Sequence, residues 1–174
     1  MKKIAIVGKM CSGKTTIASI IKQMNSKYEI YSFGNGVKEV AQNLFNMKNK
    51  DRSLLVNIAS KMKEIDPDIW IKYLLKNIKS EFCIIDDVRH QNELDYLIKN
   101  NWTIIHLTID KDTQIDRLKN LYPDNYQDHI NNFSDISEDC DRLVYPVNFK
   151  KTYINTNQPS SKTYTTLYML LKPH

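Results

Sequence analysis

The chain has 174 residues, of which 41% are hydrophobic and 26% are charged, and its formal net charge is +5. This length and composition fit one globular domain over residues 1–174, and no stretch is apolar for long enough to span a membrane. The small positive charge suits a polyanionic ligand, but it does not by itself indicate DNA or RNA binding.

Three cysteines, Cys11, Cys83 and Cys140, form no C-x-x-C pair and no metal-ligand spacing. An odd count without pairing favours a reduced, intracellular compartment, and the first apolar run is too short for a signal peptide. We therefore expect a cytoplasmic protein. The abundance of Lys, Asn and Ile fits an A·T-rich genome, and the compartment would be the host cytoplasm if the source is viral.

The first predicted strand and helix enclose a glycine-bounded loop. The apolar run at 4–7 predicts a strand over about 3–7, and the apolar spacing that starts at Ile17 predicts a helix over about 14–25. The intervening Gly8-Lys9-Met10-Cys11-Ser12-Gly13-Lys14-Thr15 has the G-x-x-x-x-G-K-[ST] spacing of a P-loop. Strand, glycine turn and helix in this order are the context in which that motif binds phosphates.

Each residue type in this loop has a role in holding phosphate. Gly8 and Gly13 let the backbone curl so that successive N–H groups point at an anion, and the helix adds the positive end of its dipole. Lys14 supplies a cation for the β- and γ-phosphates, and the Thr15 hydroxyl can ligate Mg²⁺. We therefore predict a nucleoside triphosphate site here. Its predicted residues are Gly8, Met10, Cys11, Ser12, Gly13, Lys14, Thr15 and Thr16.

The next segments carry further strand and helix signals. Residues 28–33 alternate and predict a strand, after which Gly34-Asn35-Gly36 breaks the pattern and leads into a helix over 37–45. Asp51 is predicted to be the N-cap of the following helix. Asp66-Pro67-Asp68 predicts another helix start, with its proline near the first helical position.

A third strand is predicted where an apolar run at 82–85 ends in Asp86 and Asp87. A continuous apolar run indicates a strand buried on both faces, and an acid at its carboxyl end stands where a Walker-B aspartate would approach Mg²⁺. Only one of two neighbouring strand residues can point at the phosphates. The strand pattern alone favours Asp86, which directly ends the run.

The remaining elements continue the alternation. They are a helix through 94–98, a strand over 103–107, a helix over 110–120, a strand over 151–154 and a helix over 165–171. His106 and Cys83 fall inside predicted strands and are expected to be core residues, the histidine with a hydrogen-bond partner. The polar segment at about 120–141 is typical of a mobile lid. We predict an α/β, three-layer P-loop NTPase fold with a mostly parallel sheet and helices on both faces.

Several stretches match the motifs of one kinase family. They are Val37-Lys38, Arg52 with Leu54-Leu55, Lys63, Asp66-Pro67-Asp68-Ile69-Trp70, Ser137-Glu138, Asn155 and, most specifically, Asp87-Val88-Arg89-His90-Gln91-Asn92-Glu93. With these motifs the chain resembles, over most of its length, the P-loop deoxynucleoside monophosphate kinases and the related phosphomevalonate kinases. The chain departs from the pattern at the family's His-x-Ser-Glu, because its histidine stands only at Asp128-His129.

The resemblance implies an enzyme that transfers the γ-phosphoryl group of ATP, with Mg²⁺ as cofactor, to a deoxynucleoside monophosphate. The catalytic residues would be Lys14, Asp87, Arg89 and Arg117, with Thr15 and Asp87 at the metal. The acceptor would contact Lys38, Arg52, Lys63, Trp70, Arg89 and Glu138, and Asn155 would lie near the adenine. The resemblance implies no nucleic-acid or membrane partner, and a homodimer is left open.

Other interpretations stay open at this point. Arg117 could simply pair with Asp112 or Asp116 on its own helix, and Lys38 and Lys63 would be surface lysines if the resemblance is set aside. The acceptor could instead be phosphomevalonate-like or an alcohol, for which an aspartate at 86 or 87 would act as base. A nucleotide-binding switch or interaction protein is a further alternative, against which stands the lack of a guanine-reading Asn-Lys-x-Asp motif.

Overall fold

A computed structural model describes residues 2–124, 126–131, 140–157 and 160–172. One or more α-helices follow each strand along these ranges. In chain order they are β1 (Lys3–Gly8), α1 (Lys14–Met24), β2 (Glu29–Tyr31), α2 (Gly34–Phe45), α3 (Arg52–Ile65), α4 (Ile69–Asn77), β3 (Cys83–Val88), α5 (Gln91–Lys99), β4 (Thr103–Thr108), α6 (Lys111–Leu121), α7 (Tyr126–Asn131), β5 (Thr152–Asn155) and α8 (Ser160–Leu171). No helix within the described ranges has the length and apolar character needed to cross a membrane.

The strands form one parallel sheet in the order β2-β3-β1-β4-β5. The central strand β1 lies between β3 and β4, where Ile4 is opposite Ile84 on one side and Thr103 on the other. Because the strands run in the same direction, their carboxyl ends share one edge of the sheet. The loop that follows β1 therefore emerges at the middle of this edge, where ligands bind in open α/β sheets.

Helices cover both faces of the sheet, as the fold prediction requires. On one face α1 and α8 pack Ile17, Ile21 and Leu167 against Ile4 and Ile6 of β1. The opposite face is covered by α4 and α5 and by the segment before β5, which contribute Leu74, Leu94 and Leu143 among others. Burial of β1 on both faces explains why its sequence is a continuous apolar run and not an alternating one.

A separate cluster joins α2, α3 and α4, which we call the α2–α4 layer. Its buried residues are Val37, Ala41, Ile58 and Trp70. The layer contacts the first turn of α5, which follows β3. There Asn92 donates its Nδ2 hydrogens to Pro67 O at 3.0 Å and to Asp68 Oδ1 at 2.9 Å. The sheet and the layer thus meet at the carboxyl edge.

Most element predictions agree with the structure. Asp51 caps α3 as predicted, because its Oδ1 accepts a hydrogen bond from Leu54 N at 2.9 Å. The helix expected over 37–45 already begins at Gly34. Pro67 precedes the first residue of α4 and lies in a turn closed by a 3.0 Å bond from Ile69 N to Asp66 O.

Two further differences lie near the C-terminal part of the chain. The segment predicted to be an irregular lid contains the helix α7, and its residues 132–139 lie outside the described ranges. The last helix begins at Ser160, before the predicted start at 165. Both core predictions hold: Cys83 is fully buried, and buried His106 has its Nδ1 2.9 Å from Tyr145 Oη.

Candidate active site

The glycine-bounded loop after β1 adopts the curled backbone that its sequence predicts. Gly13 has φ +89° and Cys11 has φ +58°, so two residues of the loop adopt left-handed conformations. Gly8 cannot carry a side chain without displacement, because a Cβ there would lie 2.6 Å from Ser12 Oγ and 3.0 Å from Leu107 Cβ. The loop leads directly into α1, and the N-terminus of a helix favours an anion at this place.

Polar groups inside this loop are arranged for an anionic ligand. Lys14 Nζ donates to the carbonyl oxygens of Gly8 and Lys9, each at 2.7 Å, and so lies across the loop. Ser12 is 0% exposed, and among the described residues its Oγ finds no hydrogen-bond partner. An orphaned buried hydroxyl is costly, and a phosphate oxygen in the loop is the kind of group that would satisfy it.

Asp86 stands next to the P-loop threonine. Its Oδ2 accepts a hydrogen bond from Thr15 Oγ1 at 3.2 Å. Burial, and next the charge of Asp87, raise the pKa of the Asp86 carboxyl. The described residues contain no group of three His, Cys, Asp or Glu that could form a metal cage. One hydroxyl and one carboxylate nevertheless fit Mg²⁺, which takes few protein ligands beside substrate phosphates.

Asp87 faces away from the P-loop and binds the start of α2. Its carboxylate accepts hydrogen bonds from Ser32 Oγ at 2.5 Å, Phe33 N at 2.8 Å and Gly34 N at 2.8 Å. Since adjacent strand residues point to opposite sides, only Asp86 is directed at Thr15. Of the two aspartates, Asp86 is therefore the one that lies beside the P-loop threonine. The contacts of Asp87 also explain why α2 starts at Gly34.

Arg117 reaches the P-loop from α6. Its Nη1 donates to Cys11 O at 3.1 Å, and its Nη2 donates to Thr156 O at 2.5 Å. The guanidinium therefore links the P-loop to the turn after β5, and these contacts replace the alternative pairing with Asp112 or Asp116. Asn155 shapes the same turn, because its Oδ1 accepts a hydrogen bond from Asn157 N at 2.9 Å.

Gln114 is a contact of the P-loop that the sequence did not reveal. It is buried on α6, and its Nε2 donates to Met10 O at 2.9 Å. Gln114 precedes Arg117 by three residues, so both side chains leave the same face of the helix. The spacing of three residues is the one sequence feature that links Gln114 to Arg117. A glutamine in a polar helix does not by itself indicate burial.

Arg52 connects the α2–α4 layer to α7. Its Nη1 lies 3.3 Å from Nδ1 of His129, and His129 is 9% exposed. The imidazole also packs on Tyr122, with the two ring centroids 4.4 Å apart. The structure thus brings together Arg52 and His129, which are 77 positions apart in the sequence.

The turn after β3 is held by Glu93. Its Oε2 accepts hydrogen bonds from Arg89 N at 2.9 Å and His90 N at 3.0 Å, and its Oε1 lies 3.7 Å from Lys63 Nζ. Burial is the main reason that the pKa of Glu93 rises to about 7, and the charge of Asp87 adds to it. Burial also lowers the pKa of Lys63. Arg89 itself follows the last residue of β3 and so stands at the carboxyl edge.

This raised pKa makes stability depend on pH. The folded protein holds a proton on Glu93 up to about pH 7, whereas the unfolded chain releases it near 4.5, so the free energy of unfolding falls as pH rises between these values. Charged Lys63 limits the fall and Asp87 increases it. We expect wild type to lose about 2–3 kcal/mol relative to Glu93→Gln across this interval in urea unfolding. Parallel pH curves for the two proteins would contradict the prediction.

The sequence also predicts that Lys38, Trp70 and Glu138 contact the acceptor. Lys38 is exposed on the first turns of α2. Trp70 is 4% exposed, its Nε1 donates to Ala59 O at 3.2 Å, and it packs within the α2–α4 layer. Glu138 lies outside the described residues.

Three features of the structure define a P-loop NTPase. They are the parallel sheet of this strand order, the P-loop after its central strand, and the aspartate on the neighbouring strand beside the P-loop threonine. The chain belongs to the AAA domain family, whose model matches residues 4–139. No match was found among curated protein sequences.

Solved structures share the fold over nearly the whole chain. Shikimate kinase from Aquifex aeolicus is 16% identical with a TM-score of 0.52, and the match covers 98% of this chain and 96% of that one. A sugar kinase from Janibacter sp. is 14% identical (TM-score 0.54; coverage 98% and 94%). A gluconokinase from Sinorhizobium meliloti is 12% identical (TM-score 0.51; coverage 98% and 98%). At these identities the similarity establishes the fold.

Proposed function

We propose that the protein is a (deoxy)nucleoside monophosphate kinase, which transfers the γ-phosphoryl group of ATP to the phosphate of a dNMP and yields dNDP and ADP. The observation that carries the proposal is the arrangement at the end of β3. There Asp86 meets the P-loop threonine, and Arg89 follows at the same edge. A donor site and an acceptor site would thus be three residues apart on one strand end. The kinase names of the similar structures agree with phosphoryl transfer.

The chemistry needs cations more than it needs a base. The second pKa of a phosphate monoester is about 6, so the acceptor is already an anionic nucleophile at neutral pH. What the site must supply is neutralisation and in-line placement of two polyanions that repel each other. Lys14 and the loop amides would hold the ATP phosphates. Arg117, which already touches the loop, would approach the transferred group.

The same part of the structure supports proposals for the metal and acceptor roles. Thr15 and Asp86 would hold Mg²⁺, which when bound neutralises charge on the β- and γ-phosphates. Arg89 and Arg52 would bind the acceptor phosphate, since a guanidinium offers a planar fork of donors that matches phosphate oxygens. Lys38, which is exposed on α2, is a further proposed acceptor residue.

The two aspartates give a direct test of these assignments. We expect Asp86→Asn to lower kcat by about 10²-fold or more and to raise the Mg²⁺ concentration needed for half-maximal rate. Asp87→Asn should instead lower the free energy of unfolding by about 1–3 kcal/mol, because it weakens three bonds to the start of α2. Magnesium titrations and urea unfolding measure the two effects. If Asp87→Asn instead changes the Mg²⁺ requirement and Asp86→Asn changes only stability, Asp87 is the metal ligand.

A second candidate is a kinase of a small alcohol or of a phosphomevalonate-like acceptor. The names of the three similar structures favour it, because none of them is a nucleotide kinase. With an alcohol acceptor, Asp86 or Asp87 would accept the proton of the hydroxyl group. An ADP-release assay with MgATP separates the candidates when dNMPs, NMPs, phosphomevalonate, shikimate, gluconate and unphosphorylated nucleosides are compared. Turnover of a nucleoside monophosphate and not of phosphomevalonate, with a pH profile that follows the acceptor's own pKa, supports the first proposal.

A further inference from the structure

We propose that Glu93 is a positioning residue that fixes Arg89 for the acceptor phosphate, and that Lys63 is the counter-ion of Glu93 and not an acceptor ligand. The proposal rests on the proposed function, because it assigns to Arg89 the phosphate of a monophosphate acceptor. It assigns to Glu93 a role that the sequence motifs did not indicate.

The two oxygens of Glu93 have separate tasks. Its side chain is 4% exposed, and Oε2 accepts the N–H groups of Arg89 and His90 at 2.9 and 3.0 Å. Oε1 faces Lys63 Nζ at 3.7 Å. One buried carboxylate therefore joins the turn after β3 to helix α3.

Fixing two successive N–H groups fixes the direction in which the Arg89 side chain leaves the backbone. Arginine has many rotamers, and a clamp loses less entropy on binding when its backbone is already oriented. Asn92 adds a second anchor, because it donates to Pro67 O and Asp68 Oδ1 at the turn between α3 and α4. The turn that carries Arg89 is thus attached to the α2–α4 layer at two points.

Lys63 is placed to neutralise Glu93. Its side chain is 22% exposed, and the buried carboxylate lies within ion-pair distance of its ammonium group. Loss of one partner of a buried pair leaves the other charge uncompensated. The raised pKa of Glu93, about 7, means that the carboxylate is ionised at about pH 8, where the effect of Lys63 is largest.

The test is a double-mutant cycle of Lys63→Met and Glu93→Gln at about pH 8. We expect Lys63→Met to lower the Tm by about 5 °C and kcat/KM for the acceptor by about tenfold. Glu93→Gln in the same chain should reverse most of both losses. A glutamine oxygen can still accept the two N–H groups, and its amide then faces methionine instead of ammonium. A strong rise of the acceptor KM in Lys63→Met that Glu93→Gln does not reverse would overturn the proposal. Lys63 would then be assigned to acceptor binding.

A second variant separates positioning from general stability. Glu93→Ala removes the acceptor of both N–H groups and should lower kcat/KM for the monophosphate by about tenfold while the KM for ATP changes little. Leu167→Ala, in the fully buried face of α8 across the sheet, is the control that lowers the Tm without this split. If Glu93→Ala lowers kcat/KM equally for ATP and for the acceptor, Glu93 does not position Arg89.

The cycle also distinguishes failure of this proposal from failure of the proposed function. The thermal shifts of the four proteins decide the pairing of Lys63 with Glu93 without any turnover. A wild type that phosphorylates no monophosphate overturns the function, and with it the assignment of Arg89 to the acceptor. Additive thermal shifts in an active enzyme overturn the pairing alone.

Discussion

Lys14→Met is expected to lower kcat by about 10³-fold, the largest loss that we predict for a single side chain. The ammonium group of Lys14 lies across the P-loop, where it now donates to Gly8 O and Lys9 O. These carbonyl contacts are exchangeable for phosphate oxygens, which carry more negative charge. Since charge builds on the transferred group during the reaction, losing this cation costs more in the transition state than in ATP binding. Steady-state kinetics with saturating MgATP measure the loss.

Lys9→Met is the matched control for this variant. Lys9 belongs to the same loop, but its Nζ forms an ion pair with Asp141 Oδ2 at 2.6 Å. Its backbone carbonyl, which accepts from Lys14, is kept by the substitution. We expect the control to retain kcat within about threefold, because a partly exposed ion pair contributes little. Similar losses in the two variants would contradict a specific role of Lys14.

Arg89→Ala should lower kcat for the monophosphate by about 10²–10³-fold and leave ATP binding nearly unchanged. Arg89 follows β3, whereas the proposed ATP phosphates lie in the loop after β1, so its loss should affect acceptor placement first. Kinetics give kcat, and calorimetric titration with ATP gives the dissociation constant. The exposed Arg142 provides a control of equal charge change, for which Arg142→Ala should be neutral. A mild effect on turnover would remove Arg89 from the acceptor clamp.

The elements that local patterns control were predictable from the sequence. The P-loop and its flanking strand and helix follow from glycine spacing and apolar runs, and the parallel sheet follows from the alternation of strand and helix signals. The N-cap at Asp51 was also predictable, because capping depends on residues only three positions apart.

The contacts that join distant segments were not predictable in this way. The strand pattern alone favours Asp86 over Asp87, but it does not show that Asp86 contacts Thr15. It also does not show that the start of α2 depends on Asp87, more than 50 positions away. The pairing of Lys63 with Glu93 depends on how α3 packs beside the turn after β3. Periodicity indicates which face of an element is buried, but it does not indicate which polar side chain on a neighbouring element binds there.

The central claim is that ATP and a monophosphate bind side by side at the carboxyl edge of the sheet. Calorimetry with dinucleoside pentaphosphates, in which adenosine is joined through five phosphates to each deoxynucleoside in turn, tests it most directly. Such a compound fills both sites at once, and with Mg²⁺ at least one of the set should bind about 100-fold more tightly than ATP. Lys14→Met and Arg89→Ala should each remove most of that gain. If every compound in the set binds wild type no more tightly than ATP does, the account is contradicted.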